Sequence, residues 1–381
     1  MVRSWQGPWR VLHDRYVATP SPQRLRADLR SLVHREYGLR EFALGAARIL
    51  RRAVPYDGVC VLTLDPATLL PTGEVVENGL PPEATARMTH IEMAGRDFNN
   101  FSALAHASPR VATLSEATGG DLDRSVRHRD VRREHGFGDE LRAALVGERA
   151  TWGALTLLRE RDGADFTPRD AQIVAELTPE VAEGLRRTVM RDAVGPAAAD
   201  EHRQAGTVVL EPDDSIALAD PAGEAWVADL LERETPGAAV PHVIVAVAGR
   251  ARAAADGDAT AAARVRVRTA SGRWLVIHGS IAGDGPDRRS VVTLAPAGTP
   301  ELAPLIADAY ELTERERAVT QLVAQGLSTE AIAQRLFLSP WTVQDHLKAI
   351  FEKTGTGTRG ELVAHLFFEH YAPRLTEPAE R

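Results

Sequence analysis

Residues 312–367 read LTERERAVTQLVAQGLSTEAIAQRLFLSPWTVQDHLKAIFEKTGTGTRGELVAHLF. Four helical patterns follow one another here with almost no residue to spare between them. Val319, Leu322 and Val323 share one face of the first, which stops at Gly326, a residue suited to the left-handed turn after a helix. Ser328 is a good N-cap for the second, whose Ile332 and Leu336 turn inward. The third has the best-marked start in the chain. Ser339 caps it, Pro340 sits where a missing N–H costs nothing, and Val343, Leu347, Ile350 and Phe351 form its apolar stripe. The fourth begins near Arg359 and carries Leu362, Leu366 and Phe367 inward. A second helix, a tight turn and a capped third helix make the pattern of a helix-turn-helix.

The residues Leu312, Thr313, Arg315, Glu316, Val319, Gly326, Ile332 and Ala333, then Ser339, Thr342, Val343, His346, Lys348, Lys353, Gly355 and Arg359, carry a resemblance. In order and spacing the stretch resembles the LuxR-type DNA-binding domain of bacterial transcription regulators, over roughly the last sixth of the chain. It departs from that family at Ala331, where a glutamate is usual, and at Thr354 and Thr356, which replace apolar residues. The resemblance implies an all-α four-helix domain over residues 305–371, with double-stranded DNA as partner and RNA polymerase as a further contact. It also implies that Gln344, Asp345 and Lys348 face the bases. Their side-chain types suit base edges, since Gln pairs doubly with adenine, Lys donates to guanine and Asp accepts from cytosine. Ser339 and Thr342, at the capped N-terminus, suit a phosphate, and Lys353 and Arg359 suit the charge of the DNA backbone.

Charge balance favours the competing reading, a helical module that docks on protein. Between Glu311 and Glu369 six basic side chains face eight acidic ones, whereas counterion release rewards a basic face. The distribution favours DNA: Lys348, Lys353 and Arg359 lie on or just after the third helix, and Glu314, Glu316 and Glu330 belong to the first two.

The whole chain has 381 residues, enough for two or three domains, and a net charge of −8, so it is no general polyanion binder. One cysteine, Cys60, excludes a disulfide framework or a cysteine-rich zinc site within the chain. Trp5 and Trp9 lie among arginines with no continuous apolar run, which reads as no signal peptide, and no apolar run is long enough to span a bilayer. A cytoplasmic protein without a membrane partner follows. Only two lysines exist, Lys348 and Lys353. A phosphorylatable receiver domain and a P-loop ATPase each need a lysine upstream, so both are excluded. Gly355, Gly357 and Gly360 match G-x-G-x-x-G but follow a helix, not a strand, and read as an interhelical loop. No paired nucleophile and base, metal cluster or phosphate loop is present, so the chain reads as no enzyme and implies no cofactor.

Residues 22–54 read as two helices broken at Tyr37-Gly38, residues 58–64 and 70–77 as strands, and residues 82–93 as a helix. A polar loop, RDFNNF, follows at 96–101; then strands at 139–147 and 151–159 precede a long helix from Pro168 to about Met190. That order resembles a GAF domain over residues 36–190, after an N-terminal segment 1–35. GAF domains resemble small-molecule sensors, and the resemblance makes Phe98, Asn99, Asn100 and Trp152 candidates for an effector site, against the alternative of a core tryptophan and an ordinary loop. Cys60 reads as a small core residue, and His128 and His135 as a solvated helix face.

Residues 191–204 read as a linker. Strands at 206–210 and 215–218, a helix at 221–234, an apolar segment at 243–248, an alanine-rich stretch of low information at 251–263 and three strands at 264–268, 274–281 and 290–294 follow. This middle domain, 205–298, resembles a PAS-type domain, which implies sensing or dimerisation; His278 is its one haem-ligand candidate. Arg264, Arg266 and Arg268 alternate on a strand and read as a solvated face. The fold class expected is therefore α+β multidomain: a GAF-like α/β sensor, a PAS-like α+β middle domain, an all-α four-helix helix-turn-helix and a tail, 372–381. The function expected is that of a one-component regulator, a homodimer on DNA under an unidentified small-molecule effector.

Overall fold

The computed structural model describes residues 20–194, 204–234, 237–258, 262–285 and 288–368, and at 192–194, 299, 367 and 368 the backbone alone. Trp5, Trp9, most of the expected linker, the tail and the Phe367 side chain lie outside the described residues. The architecture is mixed α/β, with two antiparallel sheets and a C-terminal helical region.

Leu25, Leu29, Leu32 and Val33 line the buried face of α1 (Pro22–Val33), whose cap Ser21 accepts from the Arg24 N–H. Its partner α2 (Leu39–Arg51) buries Phe42, Ala43, Ala46, Ala47 and Leu50. Strands β1 (Gly58–Leu64) and β2 (Pro71–Glu77) form a hairpin, and α3 (Pro82–Ala94), α4 (Phe101–His106), β3 (Val111–Thr113) and α5 (Leu114–Thr118) cross over to β4 (Phe137–Val146) and β5 (Thr151–Glu160). The sheet order is β2-β1-β5-β4-β3. Strand alternation gives it two different faces. Val59, Val61, Leu141, Leu145, Leu155 and Leu157 pack against α1, α2 and the long α6 (Pro168–Val194). Gly184 lets α6 approach α2 closely, since a Cβ there would stand 1.8 Å from the Phe42 ring.

In the second sheet, β6 (Gly206–Leu210) and β7 (Ile216–Ala219) precede α7 (Pro221–Leu231) and α8 (His242–Ala255), and β8 (Arg264–Arg268), β9 (Trp274–Ala282) and β10 (Arg289–Pro296) complete it. Its order, β7-β6-β10-β9-β8, repeats that of the first sheet position for position. The apolar segment at 243–248 is the body of helix α8. Residues Val243 through Gly249 are all buried, because α8 lies on its own sheet and packs its other side against α3. A helix buried all round shows no amphipathic period, and so its sequence did not announce it.

Arg266 departs from the solvated face expected of β8. Its backbone N and Nε each lie 2.9 Å from Asp65 Oδ2 and its Nη2 lies 2.6 Å from Oδ1, with both side chains buried. Arg266 Nη1 also donates to the Glu301 carbonyl at 3.2 Å. That carbonyl belongs to α9 (Thr299–Ala309), a helix the sequence reading did not separate. Leu305 and Ala309 of α9 join the first module's core, and Leu302 and Ile306 join that of the C-terminal helices.

Candidate functional site

The C-terminal helices are α10 (Glu314–Ala324), α11 (Thr329–Leu336), α12 (Pro340–Thr354) and α13 (Arg359–Val363). Val319, Leu322, Ile332, Val343, Leu347 and Ile350 form one core, with Phe351 half-buried at its margin. Thr313 and Glu316 make a reciprocal capping box at the start of α10. Phe337 ends α11 in the left-handed region, at φ 56°, and Ser339 then caps α12 by accepting from Thr342 N at 3.0 Å. The Thr342 hydroxyl lies 2.8 Å from Ser339 Oγ, so both hydroxyls already have a partner at the helix N-terminus. Gln344, Asp345 and Lys348 are exposed on α12, opposite its buried stripe. Gln344 and Lys348 stand one turn apart on one face.

Lys353 and Arg359 have partners within the fold. Lys353 Nζ lies 2.7 Å from Glu316 Oε2 and 3.1 Å from the Glu311 carbonyl. Burial alone would raise the Glu316 carboxyl, but the Lys353 ammonium and the Thr313 N–H hold it below the ordinary carboxylate range. Arg359 donates to the Leu327 carbonyl at 2.8 Å and to Thr329 Oγ1 at 2.7 Å, pinning the turn before α11. Thr354, buried where an apolar residue is usual, satisfies its hydroxyl on the Ile350 carbonyl at 2.8 Å.

The four effector candidates in the first module do not converge. Trp152 is 1 % exposed in the core on the helix-packed face of the sheet. Asn99 donates to the Thr113 carbonyl at 3.0 Å, and Phe98 stacks under Arg124, 5.4 Å from the guanidinium. Asn100 is buried, with its Oδ1 unpartnered. None of them lines the cavity of about 80 Å³ on the opposite face of that sheet. Cys60, Thr156 and Arg142 are in register across β1, β5 and β4 and form a row of its floor. Met88, Glu92 and Met93 of α3 and Phe101 of α4 cover it, and His242 and Arg250 of α8 reach it from the second module. Cys60 is thus a cavity residue, only partly buried, and burial beside Glu74 raises its thiol well above the ordinary value.

A buried charge cluster adjoins this cavity. Arg127 Nε donates to Glu140 Oε1 at 2.6 Å, and its Nη1 lies 3.1 Å from Asp97 and 2.5 Å from the Phe98 carbonyl. Arg132 Nε approaches Glu140 Oε2 at 2.8 Å, and Arg142 Nη1 approaches Glu92 at 2.9 Å. Burial opposes charge on Glu140, yet Arg127, Arg132 and Arg142 hold its carboxyl down to about 2. Burial pushes Arg132 down to about 10. His128 is also buried rather than solvated, and desolvation lowers its pKa, while His135 and the haem candidate His278 are exposed.

Residues 310–366 match the family of bacterial regulatory proteins, luxR family. The C-terminal domain is a LuxR-family helix-turn-helix. A Mycobacterium bovis protein named as an HTH-type transcriptional regulator is 52 % identical over 52 residues, 14 % of this chain and 6 % of that one. The transcriptional regulatory proteins UhpA of Escherichia coli (39 % over 83 residues, 20 % and 42 % of the two chains) and DesR of Bacillus subtilis (38 % over 76 residues, 20 % and 38 %) match similarly. The chain thus spans less than half the length of each of these relatives. A Vibrio cholerae VqmA dimer and a phage VqmA–DPO complex align with 42 % and 49 % of this chain, and with 80 % and 91 % of theirs, at 14 % and 17 % identity. Their TM-scores are 0.20 and 0.17.

Two aromatics of the LuxR-type domain escaped the sequence reading. Trp341, in the first turn of α12, is 72 % exposed, and Phe337, in the turn before it, 94 %. Trp341 precedes Gln344 by three residues on α12, and neither aromatic joins the apolar period of its helix. The charge cluster also had a signal: Glu140 and Arg142, two apart in an apolar strand, had to share one face.

Proposed function

We propose that the protein is a cytoplasmic one-component transcription regulator. It binds double-stranded DNA as a homodimer through the LuxR-type domain and responds to a small molecule held by the N-terminal modules. One observation carries the DNA reading: α12 presents Gln344, Asp345 and Lys348 from a capped N-terminal half while Val343, Leu347 and Ile350 lock its other face. A helix so placed, after a tight turn, enters the major groove by its N-terminal half. The named regulators that share this segment support it, and RNA polymerase is then a natural further contact. Among the described residues no helix is long and apolar enough to cross a membrane. The GAF-like and PAS-like readings draw support from the repeated strand order, with helices crossing over between the second and third strands of each sheet. Domains at 36–190, 205–298 and 305–371 follow, with α9 as the lead-in to the last.

A second reading, docking on protein, is favoured by exposed Trp341 and Phe337. A gel shift of the full chain against genomic fragments, with salt titration, separates the two. DNA binding that weakens steeply with salt and leaves a two-protomer complex in analytical ultracentrifugation is the expected result; no retention of any fragment at low salt overturns the proposal.

A further inference from the structure

The side chains of Arg132 and Arg142 are 5 % and 3 % exposed, yet the Nε of each has no hydrogen-bond partner. Arg132 Nε is in ion-pair contact with Glu140, but the groups are not aligned for a hydrogen bond. Arg132 is thereby neutralised, but the buried Nε–H of Arg142 has no acceptor, and a charged donor left so is costly enough to ask for a cause. Both arginines line the cavity between the first sheet and α3. A third, Arg250, reaches it from α8, half-buried and also with an unpartnered Nε. Arg250 lies within the fields of Asp258 and of Glu92, the carboxylate that pairs with Arg142, so Arg250 and Arg142 both stand near the Glu92 end, with Arg132 in the same lining. Much of the remaining wall is apolar, with Leu62, Leu64, Val76, Leu80, Met88 and Leu158. The other lining carboxylate, Glu74, belongs to β2, three strands from Arg142, or about 14 Å across the sheet. A guest without an acceptor oxygen leaves the Arg142 and Arg250 Nε–H groups unsatisfied, a neutral acceptor satisfies them without the charge attraction of an anion, and a cation is repelled at that end.

We propose that this cavity binds a small carboxylic acid with an apolar or aromatic body, its carboxylate held by Arg142, Arg132 and Arg250. The proposal rests on reading the N-terminal modules as a sensor and names the class of its effector. Guanidinium and carboxylate match in geometry, and a bidentate contact satisfies the stranded donors. The site also has a route to regulation. Gly249 of α8 sits against Met93 of α3 so closely that a Cβ would lie 3.1 Å from it. A guest gripped by Arg142 of one module and Arg250 of the other therefore stabilises one placement of α8 on α3, the differential contact that coupling requires.

The test is calorimetric titration of the full chain with benzoate, benzamide and benzylamine, three isosteres that are anionic, neutral and cationic. Benzoate is expected to bind and to raise the melting temperature, the other two to bind at least about tenfold more weakly. Arg250→Met, at the half-buried edge, should weaken benzoate about tenfold or more, and Met88→Trp should abolish binding by filling the cavity, both with unchanged far-UV circular dichroism and a cooperative melt. Equal affinity for benzamide, retention of benzoate by Met88→Trp, or no benzoate binding at about 10 mM overturns the proposal. DNA binding measured on the same preparation keeps the two readings apart: a failed titration with intact DNA binding removes the acid site and leaves the regulator standing.

Discussion

Lys353 is assigned to the DNA backbone by its type and position, and to the fold by its contacts. Its Nζ lies 2.7 Å from Glu316 Oε2, a carboxylate whose side chain is only 7 % exposed. Lys353→Met keeps the aliphatic stem and leaves that carboxylate with the Thr313 N–H alone. Removing one partner of a buried ion pair costs about 3–5 kcal/mol. Here the ammonium is 33 % exposed and water enters in its place, so a loss of about 1–3 kcal/mol is expected. Hydrogen exchange read by mass spectrometry over α10 and α12 should then quicken about 5- to 150-fold. The pH dependence has a definite sign. Glu316 is held below the ordinary carboxylate range, so its contribution is fully present above that range and is lost as pH falls through its lowered value. In Lys353→Met the carboxyl returns upward, and the domain should loosen at higher pH than in the parent. The salt slope of DNA binding should hardly change. Unaltered exchange together with a slope lower by about 1 would show instead that Lys353 serves a phosphate.

Asp65→Ala strands the buried Arg266 guanidinium between the two sheets and should cost about 3–5 kcal/mol, seen as a lower urea midpoint; a midpoint within error of the parent refutes the importance of that pair. The Glu140 carboxyl, held at about 2, contributes stability that is complete above the ordinary glutamate range and lost as pH falls toward 2. Near-UV circular dichroism should therefore collapse within that window, and a spectrum unchanged down to pH 2 contradicts the cluster. Arg359→Ala frees the turn before α11 and should speed exchange at Leu327 to Thr329 more than it lowers the salt slope.

What the sequence disclosed depended on how each residue signals its surroundings. Strands and capped helices were legible because their periods and caps are local: β1 spans Gly58–Leu64 as read, and Ser339 caps α12 as read. Gln344, Asp345 and Lys348 are exposed as the apolar stripe of α12 requires. Helix α8 was hidden because it is buried on both sides, and α9 because it divides its apolar residues between two cores. Charged residues misled most. Arg266 and His128 sit in alternating or charged stretches that read as solvated, yet both are buried, Arg266 on Asp65 from the first sheet and His128 beside Asp123 five residues before it. Only tertiary structure brings Asp65 to Arg266.

The central claim is that the outer face of α12 reads DNA sequence. Its most direct test is selection of bound duplexes from a random pool, performed with the parent chain, Gln344→Ala and Lys348→Ala. The parent should enrich an inverted repeat. Each variant should bind about 1–3 kcal/mol more weakly and lose preference at one position of each half-site. Identical enriched sequences from all three proteins would mean that α12 is not the element that reads the operator.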